Sequence, residues 1–202
     1  RVNLTQARID KLTQIDVAKL PLKDAIVWKQ GTGERKLVVF ADPNCGYCKR
    51  FERDLNNVKD VTVYTFLYPI LGGDSPEKSK NIWCAPDRVK AWDDWMINGK
   101  VPPATPANCE TPNQKIVELG QKLKIQGTPA IFFTDGTRIP GAVDLPALEA
   151  KLDGQVTEGL PPDVLARSQD FGRAVAAHIL DWSRDDGGAV IENMGFPYEY
   201  TL

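Results

Sequence analysis

The apolar positions of this chain change period along its length, and the changes outline its elements. Leu4, Ile9 and Leu12 have helix-type spacing over Asn3 to Gln14, with Asn3 or Thr5 as the N-cap and Pro21 as the stop. Ala25 to Lys29 reads as a short strand closed by Gly31-Thr32-Gly33. Lys36 to Ala41 is apolar without alternation, the pattern of a central strand covered on both faces. A helix is expected from Cys45 to about Val58, with Phe51, Leu55 and Val58 on one stripe, and Val61 to Leu67 is the next strand. Strand, helix and strand in this order imply a right-handed crossover and a parallel pair.

A helical insert over about residues 75–124 follows. Its expected helices are Glu77 to Ala85, Arg88 to Ile97 and Asn113 to Leu123, separated by breakers that include Pro102-Pro103 and Pro106. Ile131 to Thr134 and Arg138 to Ile139 flank Asp135-Gly136, a two-residue turn signal, and are expected to pair as a hairpin. Leu145 to Leu152 is a further helix. This order resembles an α/β thioredoxin-like fold with a helical insertion between its β-α-β half and its C-terminal hairpin-helix half. The chain then divides into a linker helix and lead-in over 1–24, the thioredoxin-like domain over 25–154, and a tail over 155–202, with the boundary at Gly154 and Gly159-Leu160-Pro161-Pro162. In the tail, Phe171, Val175, Ile179 and Trp182 give Asp163 to Ser183 an amphipathic pattern that needs a partner surface.

Composition narrows the function classes. At 202 residues and 42% hydrophobic the chain can bury a substantial core. With 26% charged residues and a formal net charge of −2 it has no general pull toward nucleic acid or anionic lipid. The charge is uneven: residues 155–202 hold eight acids and three bases. No apolar run reaches the roughly 18–20 residues of a membrane-spanning helix. The chain opens at Arg1 with neither an initiator Met nor a signal peptide, as a processed or trimmed product would, so its start is silent about compartment.

The chemistry lies in the cysteines. Cys45-Gly46-Tyr47-Cys48 follows the central strand directly, at the expected start of a helix. Unpaired N–H groups and the positive dipole end there favour thiolate over thiol, and thiolate is the attacking species in disulfide exchange. Cys45 is therefore the expected nucleophile and Cys48 the resolving sulfur, with Gly46 and Tyr47 setting the helix start and flanking the substrate. From their closeness in the chain to strand ends, Tyr47, Tyr68 and Pro69 are expected to form an apolar and aromatic substrate rim. A permanent staple is the weaker reading, because so short a loop adds little stability. Zinc is disfavoured too: four ligands are usual, and only Cys84, Cys109 and His178 remain. The reaction requires no metal and no cofactor. Gly127-Thr128-Pro129-Ala130 stands just before the first hairpin strand. The resemblance to thioredoxin-like folds implies a cis Pro129 packed against the dithiol, which would leave the Thr128 backbone free for an extended substrate; an ordinary strand-entry proline is the other reading. Cys84 and Cys109 flank the Pro-rich part of the insert. A structural disulfide is preferred to a second redox pair, and would imply an oxidising compartment, although four cysteines allow three connectivities.

Several segments together resemble the DsbC/DsbG-type thiol:disulfide interchange proteins, and DsbC more than DsbG. They are Phe40 to Cys48, Ile82-Trp83-Cys84-Ala85 with Ala91-Trp92-Asp93-Asp94, Leu119-Gly120, Gly127 to Ala130, and Asp135-Gly136 through Pro140-Gly141. The resemblance covers about residues 1–154. It implies a reduced Cys45/Cys48 site, a structural Cys84–Cys109 bond and a periplasmic location. It also implies isomerisation of misoxidised secreted proteins, with electrons from a DsbD-like membrane reductase. Family members are V-shaped homodimers built through an N-terminal dimerisation domain; Arg1 to Leu20 matches only the linker helix that follows it. A monomeric oxidase or reductase, and a non-catalytic chaperone, are the alternative readings. Thioredoxins carry a buried acid where this chain has Val39; Asp42 lies nearer the turn, and its part in proton transfer is open. Phe171 to Ala177, Ile179 to Trp182 and Asp186-Gly187-Gly188 are faintly similar to vanadium-haloperoxidase/PAP2-type phosphatases. No activity is carried over from these, because their oxyanion-binding residues have no counterpart here. His178 is expected to be packed or solvated, and the tail to be an extension, a fusion or a junction.

Overall fold

The computed structural model describes residues 13–105, 108–157 and 160–185, together with residues 8 and 11. The helix expected over Asn3 to Gln14 lies largely outside the described residues. The chain divides into two compact units, residues 1–156 and residues 157–202.

In the first unit five strands form one mixed sheet: β1 (Ile26–Gln30), β2 (Arg35–Ala41), β3 (Val61–Leu67), β4 (Ala130–Phe133) and β5 (Arg138–Pro140). Their spatial order is β1-β3-β2-β4-β5. β2 runs parallel to β3 with Leu37 opposite Val63, while β1/β3, β2/β4 and β4/β5 are antiparallel. The unbroken apolar run of β2 has its physical reason in this arrangement: the strand is central and covered on both faces, and Leu37 to Phe40 are at most 2% exposed.

Helix α1 (Gly46–Leu55) is the crossover between β2 and β3. The insert supplies α2 (Ser75–Trp83), α3 (Arg88–Met96) and α4 (Asn113–Lys122), and α5 (Leu145–Thr157) follows the hairpin. One face of the sheet packs Leu37, Val39, Val63 and Phe133 against Phe51 and Leu55 of α1, Trp92 and Met96 of α3, and Leu148 and Leu152 of α5. The other packs Phe40, Phe66 and Phe132 against Ile116 of α4 and Leu20 of the lead-in. The Phe40 ring meets those of Phe66, Tyr68 and Phe132 at centroid distances of 4.8, 5.8 and 5.7 Å. Burying each such side chain contributes roughly 2–3 kcal/mol.

Three expectations are corrected. The hairpin turn is a three-residue loop, Thr134 to Gly136, because the Phe133 N–H donates to the Thr137 carbonyl (3.0 Å). Gly136 takes the left-handed position (φ 79°), which the bulged form of this loop requires. The boundary is not at Gly154: α5 passes through that glycine to Thr157. Glycine costs a helix only about 1 kcal/mol, and Gln155 is tied back to the sheet. Its amide oxygen accepts from the Lys36 N–H and its amide nitrogen donates to the Lys36 carbonyl, both at 2.9 Å. The crossover helix ends at Leu55 rather than Val58. The second unit contains α6 (Pro162–Asp185), on which Phe171, Val175, Ile179 and Trp182 are exposed. His178 on this helix is exposed as well.

Candidate active site

The site is built where β2 runs out. After Ala41 the chain turns through Asp42-Pro43-Asn44, and the Cys45 N–H donates to the Asp42 carbonyl (3.0 Å). Cys45 has extended backbone (φ −76°, ψ 115°) and caps α1. Its Sγ accepts the Cys48 N–H at 3.1 Å, one of the donors that the first turn of a helix leaves unsatisfied. Gly46 opens the helix with open space around its Cα, and Tyr47 is exposed. The sequence therefore produces a sulfur seated on N–H groups, with the second sulfur one turn behind it.

The two thiols are free and buried, and their proton affinities are driven apart. A hydrogen bond from the Cys48 thiol brings the Cys45 pKa down to about 6; burial opposes it, while Thr128 and the N–H groups of Cys48 and Tyr47 help. Burial pushes Cys48 strongly up, and the negative Cys45 sulfur beside it adds to the rise. Cys45 is thus a thiolate at neutral pH, and Cys48 keeps its proton.

The Thr128–Pro129 peptide is cis, and the Cys45 thiol lies 3.2 Å from the Thr128 carbonyl oxygen. Tyr47, Arg50, Thr128, Gly141 and Val143 line a shallow groove beside the sulfur, and a second groove beyond Thr128 runs past Gln126 and Pro140. The hairpin is anchored here as well, since the Gly141 N–H donates to the Pro129 carbonyl at 2.8 Å. The structure thus brings Cys45, Gly46, Tyr47, Cys48, Thr128 and Pro129 together. It does not bring Tyr68 to the rim, where its chain position had placed it. Tyr68 is 1% exposed, and its hydroxyl donates to the Ile125 carbonyl (3.0 Å). Gly120 makes room for its ring; a Cβ there would stand 2.3 Å from a ring carbon.

Cys84 and Cys109 are joined by a disulfide with Cα atoms 6.2 Å apart. The insert that carries them holds the site loop by contacts that periodicity cannot signal. The buried Asp42 carboxylate accepts from the Asn44 N–H (2.7 Å), the Leu71 N–H (2.9 Å) and the Ser75 hydroxyl at the start of α2 (2.7 Å). From α3 the Trp95 indole N–H donates to the Pro43 carbonyl (2.6 Å). The Lys49 and Lys78 ammonium groups sit 4.0 and 4.4 Å from its ring centroid. Lys78 also donates to Asn44 (3.0 Å), whose amide reaches Asp74 (2.6 Å). The Pro43 carbonyl and both ends of the Asn44 side-chain amide are in this way held by Asp74 and Lys78 at α2 and by Trp95 of α3.

Sequence reasoning missed one buried group. Glu52 lies on α1, 1% exposed, within the stripe Cys48, Phe51, Leu55. Its signal was available, because a carboxylate four residues after Cys48 falls on the face that has to be buried.

A thioredoxin-like domain model matches residues 22–155, most of the chain. The chain belongs to the thioredoxin-like family. Among the curated relatives of this thioredoxin-like chain is the probable thiol:disulfide interchange protein DsbC of Bordetella parapertussis. It is 47% identical over 152 residues, which are 75% of this chain and 54% of that protein. The thiol:disulfide interchange protein DsbC of Escherichia coli K12 is 35% identical over 123 residues, 59% of this chain and 51% of the relative. The chain spans about half the length of these curated relatives. The solved structure of a disulfide interchange protein from Neisseria gonorrhoeae aligns with a TM-score of 0.63 at 39% identity, over 66% of this chain and 96% of that one.

Proposed function

We propose that this chain carries out thiol:disulfide interchange through the Cys45-Gly46-Tyr47-Cys48 dithiol, reducing or isomerising wrong disulfides in secreted proteins. The observation that carries the reading is the split between the two sulfurs: Cys45 drawn down to about 6 at a helix start, Cys48 held as a thiol behind it. A thiolate nucleophile with a protonated resolving partner is what the exchange reaction needs. The names of the DsbC relatives and of the Neisseria structure support the same reaction class.

In this mechanism the Cys45 thiolate attacks one sulfur of a substrate disulfide. A Cys45–substrate bond forms, the substrate S–S bond breaks, and its second sulfur leaves as a thiolate. Thr128 and Pro129 border the reacting sulfur, and the two grooves that meet at Thr128 suit an extended substrate segment passing over Tyr47. The freed substrate thiolate then attacks a second disulfide of the substrate, and the thiolate released there attacks the substrate sulfur of the Cys45–substrate bond. A new substrate disulfide forms, that bond breaks and Cys45 leaves as a thiolate, which is isomerisation. Alternatively Cys48 attacks Cys45 and the site leaves oxidised, which is reduction.

A reduced site working among secreted proteins implies a periplasmic setting and a DsbD-like membrane reductase as electron donor. The Cys84–Cys109 bond supports an oxidising compartment. A homodimer on the DsbC pattern belongs to the same reading. The test pairs two variants with insulin reduction and scrambled-ribonuclease reactivation. Cys45→Ser should lose both activities, and Cys48→Ser should accumulate mixed disulfides with substrate. Retained turnover in Cys45→Ser would overturn the reading.

A further inference from the structure

The walls of the two grooves differ in charge from the chain as a whole. The chain carries a formal net charge of −2. The groove walls nevertheless bring together Arg50, Lys124 and Arg138, with Asp144 as the one acid among the described residues. We propose that Arg50 and Lys124 select substrates with acidic residues two positions before and two positions after the reactive cysteine, each cation reading one side. This names the substrate class of the interchange reading above and rests on that reading.

Placement determines which substrate positions matter. The grooves share Thr128 and Gly141, and the Thr128 carbonyl oxygen lies 3.2 Å from the Cys45 sulfur. A substrate cysteine joined to Cys45 therefore sits over the junction, and the segments before and after it run along one groove each. In an extended segment successive side chains point to opposite faces. The cysteine and the residues two before and two after it thus share the face turned to the protein. Those residues stand about 7 Å from the cysteine along the chain. One then reaches the groove of about 270 Å³ lined by Arg50, and the other the groove of about 340 Å³ lined by Lys124.

These two charges are free to act on a ligand. Both residues are exposed, and among the described residues neither the Arg50 guanidinium nor the Lys124 ammonium is held by a hydrogen bond or an ion pair. Lys49, beside Arg50 on α1, is by contrast drawn over the Trp95 ring. The Arg138 guanidinium donates to the Leu123 and Lys124 carbonyls at 3.2 and 3.4 Å, which fixes its positive charge in the groove wall. Asp144 is engaged by α5: its carboxylate accepts the Ala147 N–H at 2.9 Å, at the helix end whose positive dipole offsets a negative charge. An incoming carboxylate thus meets two uncommitted cations, whereas an incoming ammonium meets an acid already paired with a helix N-terminus. Because the grooves are shallow and open to water, each pairing is worth a few-fold in rate.

The test follows single-turnover release of nitrothiobenzoate from peptides that carry it on their cysteine, using the reduced full chain. The Cys45 thiolate attacks the peptide sulfur and a Cys45–peptide bond forms. The peptide–nitrothiobenzoate bond breaks, and the coloured thiolate, the better leaving group, departs with the electron pair. The peptides differ only in having Glu, Gln or Lys at one of the two selected positions. With the native protein, at each position, the Glu peptide should react about threefold faster than the Gln peptide and the Lys peptide correspondingly slower. In about 1 M salt, where the screening length falls to about 3 Å, the three should converge. Arg50→Glu should invert the order at one position and Lys124→Glu at the other. Each rate is taken relative to alkylation of Cys45 by neutral iodoacetamide in the same protein, which removes any change in the nucleophile itself. Equal rates for the three peptides, a preference for Lys, or an order that both charge reversals leave in place would overturn the charge selection alone. Absence of release from every peptide would overturn the interchange reading and the selection with it.

Discussion

The two cysteine pairs of this chain are made of the same atoms and do different things because of where the backbone puts them. Cys45 and Cys48 are three residues apart at the mouth of a helix, and their thiols stay free. Cys84 and Cys109 are 25 residues apart, joined by a bond across the helical insert. At the first pair a thiol and an N–H hydrogen-bond to one sulfur and leave the other surrounded by apolar side chains, so the two protons have very different affinities. At the second the bond closes a loop, and its effect is to limit the unfolded chain. The two regions meet mechanically: α2 and α3 of the disulfide-bearing insert hold Asp42, Pro43 and Asn44, the three residues that deliver Cys45.

The sharpest way to break the comparison is to exchange what is lost. Cys45→Ser should reduce insulin turnover to background with the unfolding midpoint little altered. The double variant Cys84→Ala with Cys109→Ala should do the reverse. Turnover should persist while urea unfolding reports a loss of about 3–4 kcal/mol. A smaller loss is expected at the link between the regions. Asp42→Ala leaves the Leu71 N–H and the Ser75 hydroxyl without their buried acceptor and should cost about 2–3 kcal/mol by the same assay. Smallest is Trp95→Phe, which removes the bond to Pro43 and should cost about 1 kcal/mol while the Cys45 alkylation midpoint stays in place.

Much of this was legible in the chain, for physical reasons. An apolar run without alternation that is too short for a helix reads as a strand covered on both faces, and β2 is one; a dithiol at a strand end followed by helical spacing reads as a helix start, and Cys45 caps α1. What escaped depends on contacts between distant residues. Tyr68 looked like a rim residue until Gly120, fifty-two positions later in the chain, made a place for its ring. The loop after Phe133 was misjudged because Asp135-Gly136 also satisfies a three-residue turn with the glycine last. Gly154 resembled an end because glycine often is one, whereas Gln155 pairs with the Lys36 backbone and keeps the helix going. The cause of the acidity at Cys45 is also more local than the helix dipole alone: the hydrogen bond from the Cys48 thiol is the largest contribution, and the N–H groups of the first turn add to it. Glu52 hid in plain view, one polar residue on a stripe that had been counted only by its apolar members.

The acidity of Cys45 has a thermodynamic corollary in the reduced protein. Its folded pKa, about 6, lies below the unfolded value of roughly 8.5. Between those values the unfolded chain binds the extra proton, so this group stabilises the fold increasingly as pH rises through the window, and that contribution is lost as pH falls through 6. Glu52 acts with the opposite sign: its raised pKa means the folded state holds the extra proton below 7, so its contribution weakens as pH rises toward that value. Subtracting the stability profile of Glu52→Gln from that of the native chain should expose the second effect.

The central claim is tested most directly by the rate of Cys45 carbamidomethylation against pH in the reduced protein. A midpoint near pH 6, moved upward in Cys48→Ala because the donating thiol is gone, is the predicted result. A midpoint at the ordinary thiol value of roughly 8.5, unaffected by that substitution, would contradict the account.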